Sequence, residues 1–227
     1  MMYLSKIYMD MTHPMARRDL NNCHSMHQTV MSAFSQSECS TTARSERNIL
    51  YRIFPMDGSK IILYIQSSEE PDIGKWASKG QLIMESFDHL GVKEIPDPVQ
   101  LFNKGMLLDF DLLASPCKKT GSPLKEERLQ GNCKNGRRAM LRTSEERIAW
   151  LKRRAEHGGF SVLTAWEAGS VSVVGSNNKG DSIKLTGIRF RGTLAVTDVE
   201  VFSNTFQMGI GPGKAYGYGL LMVSLHH

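Results

Sequence analysis

The 227-residue chain contains only four cysteines, Cys23, Cys39, Cys117 and Cys133, and no CxxC pair. Metal-ligand spacing of the zinc-finger kind is therefore absent. The first residues, MMYLSKIYMDM, hold a lysine and no long apolar stretch, so no export signal is expected. Reduced thiols and a cytoplasmic location follow as expectations. No apolar run approaches the roughly 18 residues of a membrane helix, and no membrane partner is expected. A phosphate-binding P-loop is also missing, because Gly213-Lys214 is followed by Ala215 instead of Ser or Thr.

What the chain does have is ordinary globular composition and an uneven charge. Hydrophobic residues make up 41% and charged residues 22%, which suits one large domain or two small ones. Net charge is +5. Residues 116–160 carry twelve Lys and Arg against five Asp and Glu, so this segment holds all of the positive excess. A basic segment on a near-neutral body fits either a nucleic-acid footprint or a solvated linker followed by a charged helix face.

Periodicity gives the elements. Tyr3, Ile7 and Met9 mark a strand, and Met26, Val30, Ala33 and Phe34 a helix that Asp19 or Asn22 can cap. Ile49, Tyr51 and Ile53, then Ile61, Leu63 and Ile65, alternate around Met56-Asp57-Gly58-Ser59 as a hairpin. Residues 72–87 are ambiguous, and 104–118 read as a further strand. This β-α-β-β-(α)-β order is ferredoxin-like. Beyond a Gly-, Ser- and Lys-rich stretch, Thr143 or Ser144 caps a helix with Ile148, Leu151 and Ala155 on one face. Two strands, a short helix and a last strand follow. The predicted fold is α+β, with two tandem ferredoxin-like (βαββαβ, RRM-like) domains. The first spans 1–118, a basic linker spans 119–136, and the second spans 137–227.

Two constellations carry chemistry. GIGPGKAYGYG (209–219) has five glycines around Lys214. Dinucleotide loops and P-loops precede a helix, but only eight residues remain here and they read as a strand. No nucleotide cofactor is expected. Backbone amides near Gly211, Gly213 and Gly217, together with Lys214, suit a nucleic-acid backbone; the plain alternative is a tight connection. In HSMHQ, His24 and His27 stand three apart, on one face of a helix. Such a pair can share proton transfer in phosphodiester cleavage, with Arg17 and Arg18 upstream to hold a phosphate. Two solvated surface histidines are the alternative.

Together these pieces resemble the CasE-type CRISPR-associated endoribonucleases of subtype I-E. The carrying motifs are MYLSK (2–6), RRDLNN…MHQT (17–29), TSEERIAWLKRR (143–154) and the spacing Gly209-Ile210-Gly211, five residues, Gly217-Tyr218-Gly219. The resemblance implies two RRM-like domains and metal-independent cleavage of precursor CRISPR RNA at the 3′ base of the repeat hairpin. The 2′-OH attacks, leaving a 2′,3′-cyclic phosphate and a 5′-OH. The product is then retained with the other subunits of the Cascade complex. The family's catalytic histidine falls on His27. Some members carry a helping tyrosine three positions earlier, where this chain has His24. Lys179 and Lys184 fall in the hairpin-contacting loop of the second domain, and Arg137, Arg138 and Arg142 are expected to grip RNA as well. A non-catalytic RRM-like RNA-binding subunit is the competing reading, although residues 188–196 offer Phe190 and no aromatic cluster.

Overall fold

The computed structural model describes residues 1–34, 43–77, 91–119 and 138–226. The first half contributes β1 (Met2–Asp10), α1 (Pro14–Asn21), α2 (Cys23–Met31), α3 (Ala43–Glu46), β2 (Leu50–Pro55), β3 (Lys60–Ser67), α4 (Gly74–Ala77), β4 (Gly91–Ile95) and α5 (Pro98–Leu101). The second contributes β5 (Leu107–Ala114), β6 (Cys117–Lys119), β7 (Arg138–Met140), α6 (Ser144–His157), β8 (Phe160–Ser176), β9 (Ser182–Val196), α7 (Val199–Met208), a 3-10 turn (Lys214–Tyr216) and β10 (Leu221–Leu225).

Two four-stranded antiparallel sheets result, ordered β2-β3-β1-β4 and β10-β5-β9-β8. In both, the first strand of the unit lies between its third and fourth. That is the ferredoxin-like order, used twice in tandem.

One strand differs from the sequence reading. The stretch at 104–118 was expected to close the first unit. Instead β4 closes it, pairing Ile95 with Met2 and Gly91 with Lys6 on β1. β5 opens the second unit, between β9 and β10. The physical reason is burial. β4 is a largely exposed edge strand with little apolar signature, whereas Leu108, Phe110 and Leu112 of β5 face the second core. The change of sheet thus falls between residues 95 and 107. Most of the expected linker, and Arg137, lie outside the described residues, as do Cys39 and Cys133.

The helix expected around Met26 and Val30 is α2, capped by Asn22, and a separate helix, α1, precedes it. Asn22 adopts an extended conformation, and its side chain accepts hydrogen bonds from the His24 and Ser25 amides at 3.0 and 3.4 Å. Such a cap satisfies amides that a helix start leaves open, worth about 1 kcal/mol. Asp19, the other candidate cap, is buried instead, where it pairs with Arg18 and accepts from the Thr29 hydroxyl. From α2, Met26 and Val30 join Ala33 and Phe34 against Ile7, Met9, Leu63 and Ile65 of the first sheet, with Trp76 over them. Each such large side chain removed from water contributes about 1.5–3 kcal/mol. The opposite side of α2 keeps His24, His27 and Gln28 outside that core.

In the second unit, Thr143 and Glu146 form a capping box on α6. Trp150, Leu151 and Ala155 of α6 and Phe202 and Phe206 of α7 cover Phe110, Phe190 and Leu194. The units touch through polar bonds as well. Gln66 donates to the Phe206 carbonyl at 3.0 Å, and Arg52 of β2 pairs with Asp111 of β5 at 2.6 Å.

Candidate active site

Three segments converge on α2. The glycine-rich segment reaches it from one side. The Tyr51 hydroxyl of β2 donates to the Ala215 carbonyl at 3.0 Å and anchors the 3-10 turn. Gly213 and Gly217 bracket that turn at φ +82° and +86°, left-handed values that a side chain resists. At Gly213 a Cβ would also lie 2.7 Å from the Tyr218 ring. The turn is therefore held rigidly, and it sets Tyr216 edge-on to His27, ring centroids 6.3 Å apart.

The tip of the β8–β9 hairpin reaches α2 from the other side. Asn22 donates to the Ser176 carbonyl, and Gln28 donates to Asn178 at 3.3 Å. The approach is close enough that a Cβ on Gly175 would lie 2.4 Å from Asn22 Oδ1. The third segment is α3, which brings Arg44; its guanidinium donates to the Ile49 carbonyl.

His27 lies at the centre of these contacts. Its ring is 6.4 Å from that of His24. Burial, then the charges of His24 and Arg44, push its pKa down to about 4. The imidazole is thus neutral near pH 7, with its lone pair available. His24 Nε2 is enclosed and has no hydrogen-bond partner. Lys214 is half-buried, and burial with the charges of Arg44 and Arg154 lowers its pKa. Burial likewise raises the pKa of Tyr216. The centre therefore combines a neutral imidazole, a softened ammonium and a guanidinium. An anion is what such a group of cations lacks.

The other expected residues are distributed as follows. Gly211 packs on Trp150, where a Cβ would lie 3.0 Å from the indole. Lys179 is exposed at the hairpin tip, next to the Asn178 that meets α2; Lys184 is exposed further along β9. Arg138 is exposed on β7, and Arg142 is exposed just before α6. Arg17 donates to the Met11 and Thr12 carbonyls, each at 3.2 Å, and Arg18 is engaged with Asp19 and Thr29. Arg17 therefore braces the β1–α1 corner, and Arg18 links α1 to α2. Three residues at the centre escaped sequence reasoning: Arg44, Arg154 and Tyr216. Tyr216 had a signal, an aromatic inside a glycine-rich loop. Arg44 had none, since its short helix is remote from α2's pattern.

Among the described residues no group of three or more His, Cys, Asp or Glu is placed to hold a metal ion. No helix among them is long and apolar enough to cross a membrane.

Two ferredoxin-like units with a glycine-rich loop folded over a histidine helix define a class of tandem α+β proteins, and the comparisons place the chain within it. The profile of the family described as "CRISPR associated protein" matches residues 2–224, and the chain belongs to that family. It is 29% identical to the CRISPR-associated endoribonuclease Cse3 of Thermus thermophilus over 98% of this chain and 100% of that protein. It is 31% identical to the CRISPR system Cascade subunit CasE of Escherichia coli over 53% of this chain and 59% of that one. The structure of Thermus thermophilus Cse3 bound to an RNA representing a pre-cleavage complex superposes with a TM-score of 0.74 at 28% identity, covering 98% of each chain.

Proposed function

We propose that this protein is the CRISPR-RNA-processing endoribonuclease of a subtype I-E system. It binds the repeat hairpin of the precursor RNA, cuts at the hairpin's 3′ base, and stays on the product as a Cascade subunit in the cytoplasm. The observation that carries this reading is the junction of His27 with the glycine-rich loop. Residues from opposite ends of the chain meet there around a neutral imidazole and several cations. The end-to-end likeness to an endoribonuclease supports the same reading.

RNA carries its own nucleophile, so the site needs only to move protons and stabilise charge. His27 is the base that removes the 2′-OH proton. The 2′ oxygen bonds to phosphorus as the bond to the 5′ oxygen breaks. Arg44 and Lys214 neutralise the extra negative charge on the phosphate oxygens. Lys214, made a better acid by burial and by the charges of Arg44 and Arg154, returns a proton to the 5′ oxygen. His24 is the partner of His27 from inside the protein. Its enclosed Nε2 does not meet RNA, and its ring packs beside that of His27. Tyr216 positions the His27 ring. Arg138, Arg142, Lys179 and Lys184 lie exposed to meet the phosphates of an A-form stem, which is read by shape and backbone. Arg137 is assigned to the same track.

End-mapping tests the chemistry. Cleavage of a repeat RNA in EDTA is expected to leave a 2′,3′-cyclic phosphate and a 5′-OH. A single 2′-deoxy substitution just before the cut is expected to block it. Cleavage of the deoxy substrate, or a 3′-OH product, contradicts the proposal.

A further inference from the structure

Beside the glycine-rich loop lies a cleft of about 550 Å³, from whose lining the proposed function above uses only Lys214 and Arg138. Its walls come from the end of α6, the end of α7, the loop and β7. Arg138, Arg154, His157, Thr205, Ile210 and Lys214 line it, and none of the described lining residues is acidic. Two of the six, Arg138 and Arg154, are permanent cations, and Lys214 adds an ammonium. Arg154 rests over the Trp150 ring at 5.6 Å, an arrangement that holds the guanidinium without neutralising it. The His157 Nδ1 donates to the Arg153 carbonyl at 2.7 Å, which leaves Nε2 as its free ring nitrogen. Lys214 belongs both to this cleft and to the His27 centre, because the charges of Arg44 and Arg154 both act on it. The cleft is therefore the electropositive continuation of the active centre.

We infer that this cleft is a binding subsite for single-stranded RNA, and that it takes the nucleotide on the 3′ side of the scissile phosphate. The inference rests on the endoribonuclease reading. The volume lies within the roughly 300–1,000 Å³ of small-ligand sites, which admits a nucleotide and excludes a duplex. The lining supplies what a phosphate needs, two guanidiniums and an ammonium, with the Thr205 hydroxyl and Ile210 beside them for the sugar and base. On that reading, the stem lies on the 5′ side of the cut, and the strand joined to the 3′ side of the scissile phosphate is single. The strand that enters a narrow cleft next to His27 is therefore the one that leaves after cleavage. Arg154 and His157 hold uncut RNA and make no contact with the trimmed product.

The test uses the full chain carrying His27→Ala, which binds without cutting. Two RNAs are compared in about 0.15 M salt: a hairpin ending at the cut, and the same hairpin with a short single-stranded 3′ extension. The extended RNA is expected to bind about tenfold tighter and to show a steeper salt dependence, by about 0.7 per added phosphate contact. Adding Arg154→Ala and His157→Ala is expected to remove that advantage and leave the trimmed hairpin's affinity unchanged. Arg154→Lys, which keeps the charge, is expected to restore part of it. Both side chains are exposed, and unchanged melting temperatures would confirm that the variants fold. An extension that adds no affinity overturns the inference. So does equal weakening of both RNAs by the double variant, or the same advantage from a 5′ extension in place of the 3′ one. A failure of the endoribonuclease reading would look different, since the hairpin itself would then go unbound or uncut by the unaltered protein.

Discussion

Two polar junctions tie the halves of this molecule together, and they are built on opposite terms. At one, Asp111 of β5 is surrounded by Arg52, Arg189 and Arg191. Burial pulls the Asp111 carboxyl up, but hydrogen bonds from Arg189 and Arg191 and the charge of Arg52 outweigh it and hold the pKa near about 2. Phe54 backs Arg52 at 4.4 Å. At the other junction, Arg44 acts on both His27 and Lys214, Arg154 acts on Lys214, and no carboxylate is among the groups that shift either pKa. The enclosed His24 nitrogen is unpartnered there. Buried polar groups normally find partners, because leaving one without a partner costs free energy. The first junction follows that rule and holds the fold. The second departs from it, and such departures mark places where a ligand completes the set.

The comparison can be broken by substitution. The largest effect is expected from His27→Ala. Single-turnover cleavage should fall by about a thousandfold, in the range of general-base loss, with hairpin affinity unchanged. Cleavage at the unaltered rate would remove His27 from the mechanism. Next comes Asp111→Ala, which strands Arg52, only 3% exposed, without its carboxylate. Urea unfolding should show a loss of about 3–5 kcal/mol, while the folded fraction still cuts RNA. A neutral result would mean that the arginine cluster is ornamental to the fold. Lys214→Ala should slow cleavage by about a hundredfold with little change in stability, the reverse of Asp111→Ala.

Acid separates the junctions further. His27 has a folded-state pKa below its unfolded value, so unfolding takes up a proton between about 6.5 and about 4. Its contribution to stability is full above that window and is lost as pH falls through it. Asp111 contributes fully above its ordinary carboxylate range, and its share is lost only as pH falls toward about 2. The pH–stability curve of His27→Ala should be flatter in the upper window, and that of Asp111→Ala flatter in the lower one. Interchanged windows would reverse the assignment. The smallest effect is expected from Lys179→Ala with Lys184→Ala. Affinity should weaken a few-fold, with a lower salt slope and unchanged cleavage once RNA is bound.

Much of this was legible in the sequence, because it rests on local rules. Asn22 and Thr143 as caps and the alternation through Ile61, Leu63 and Ile65 depend on neighbours only. All five glycines of 209–219 adopt positive φ, as a tight connection requires. What failed depended on distant partners. β4 buries too little to announce itself, so β5 was counted with the wrong sheet. Arg44 and Arg154 matter because the fold brings α3 and α6 near one loop, which no periodicity records.

The direct test of the account is an NMR titration of the His27 ring in the RNA-free protein, assigned by its loss in His27→Ala. The account predicts a midpoint at about 4, with the imidazole neutral through the physiological range. A midpoint at or above the ordinary value of about 6.5 would contradict it. Such a result would mean that the His27 ring is well solvated in the free protein and that the neighbouring charges act on it weakly.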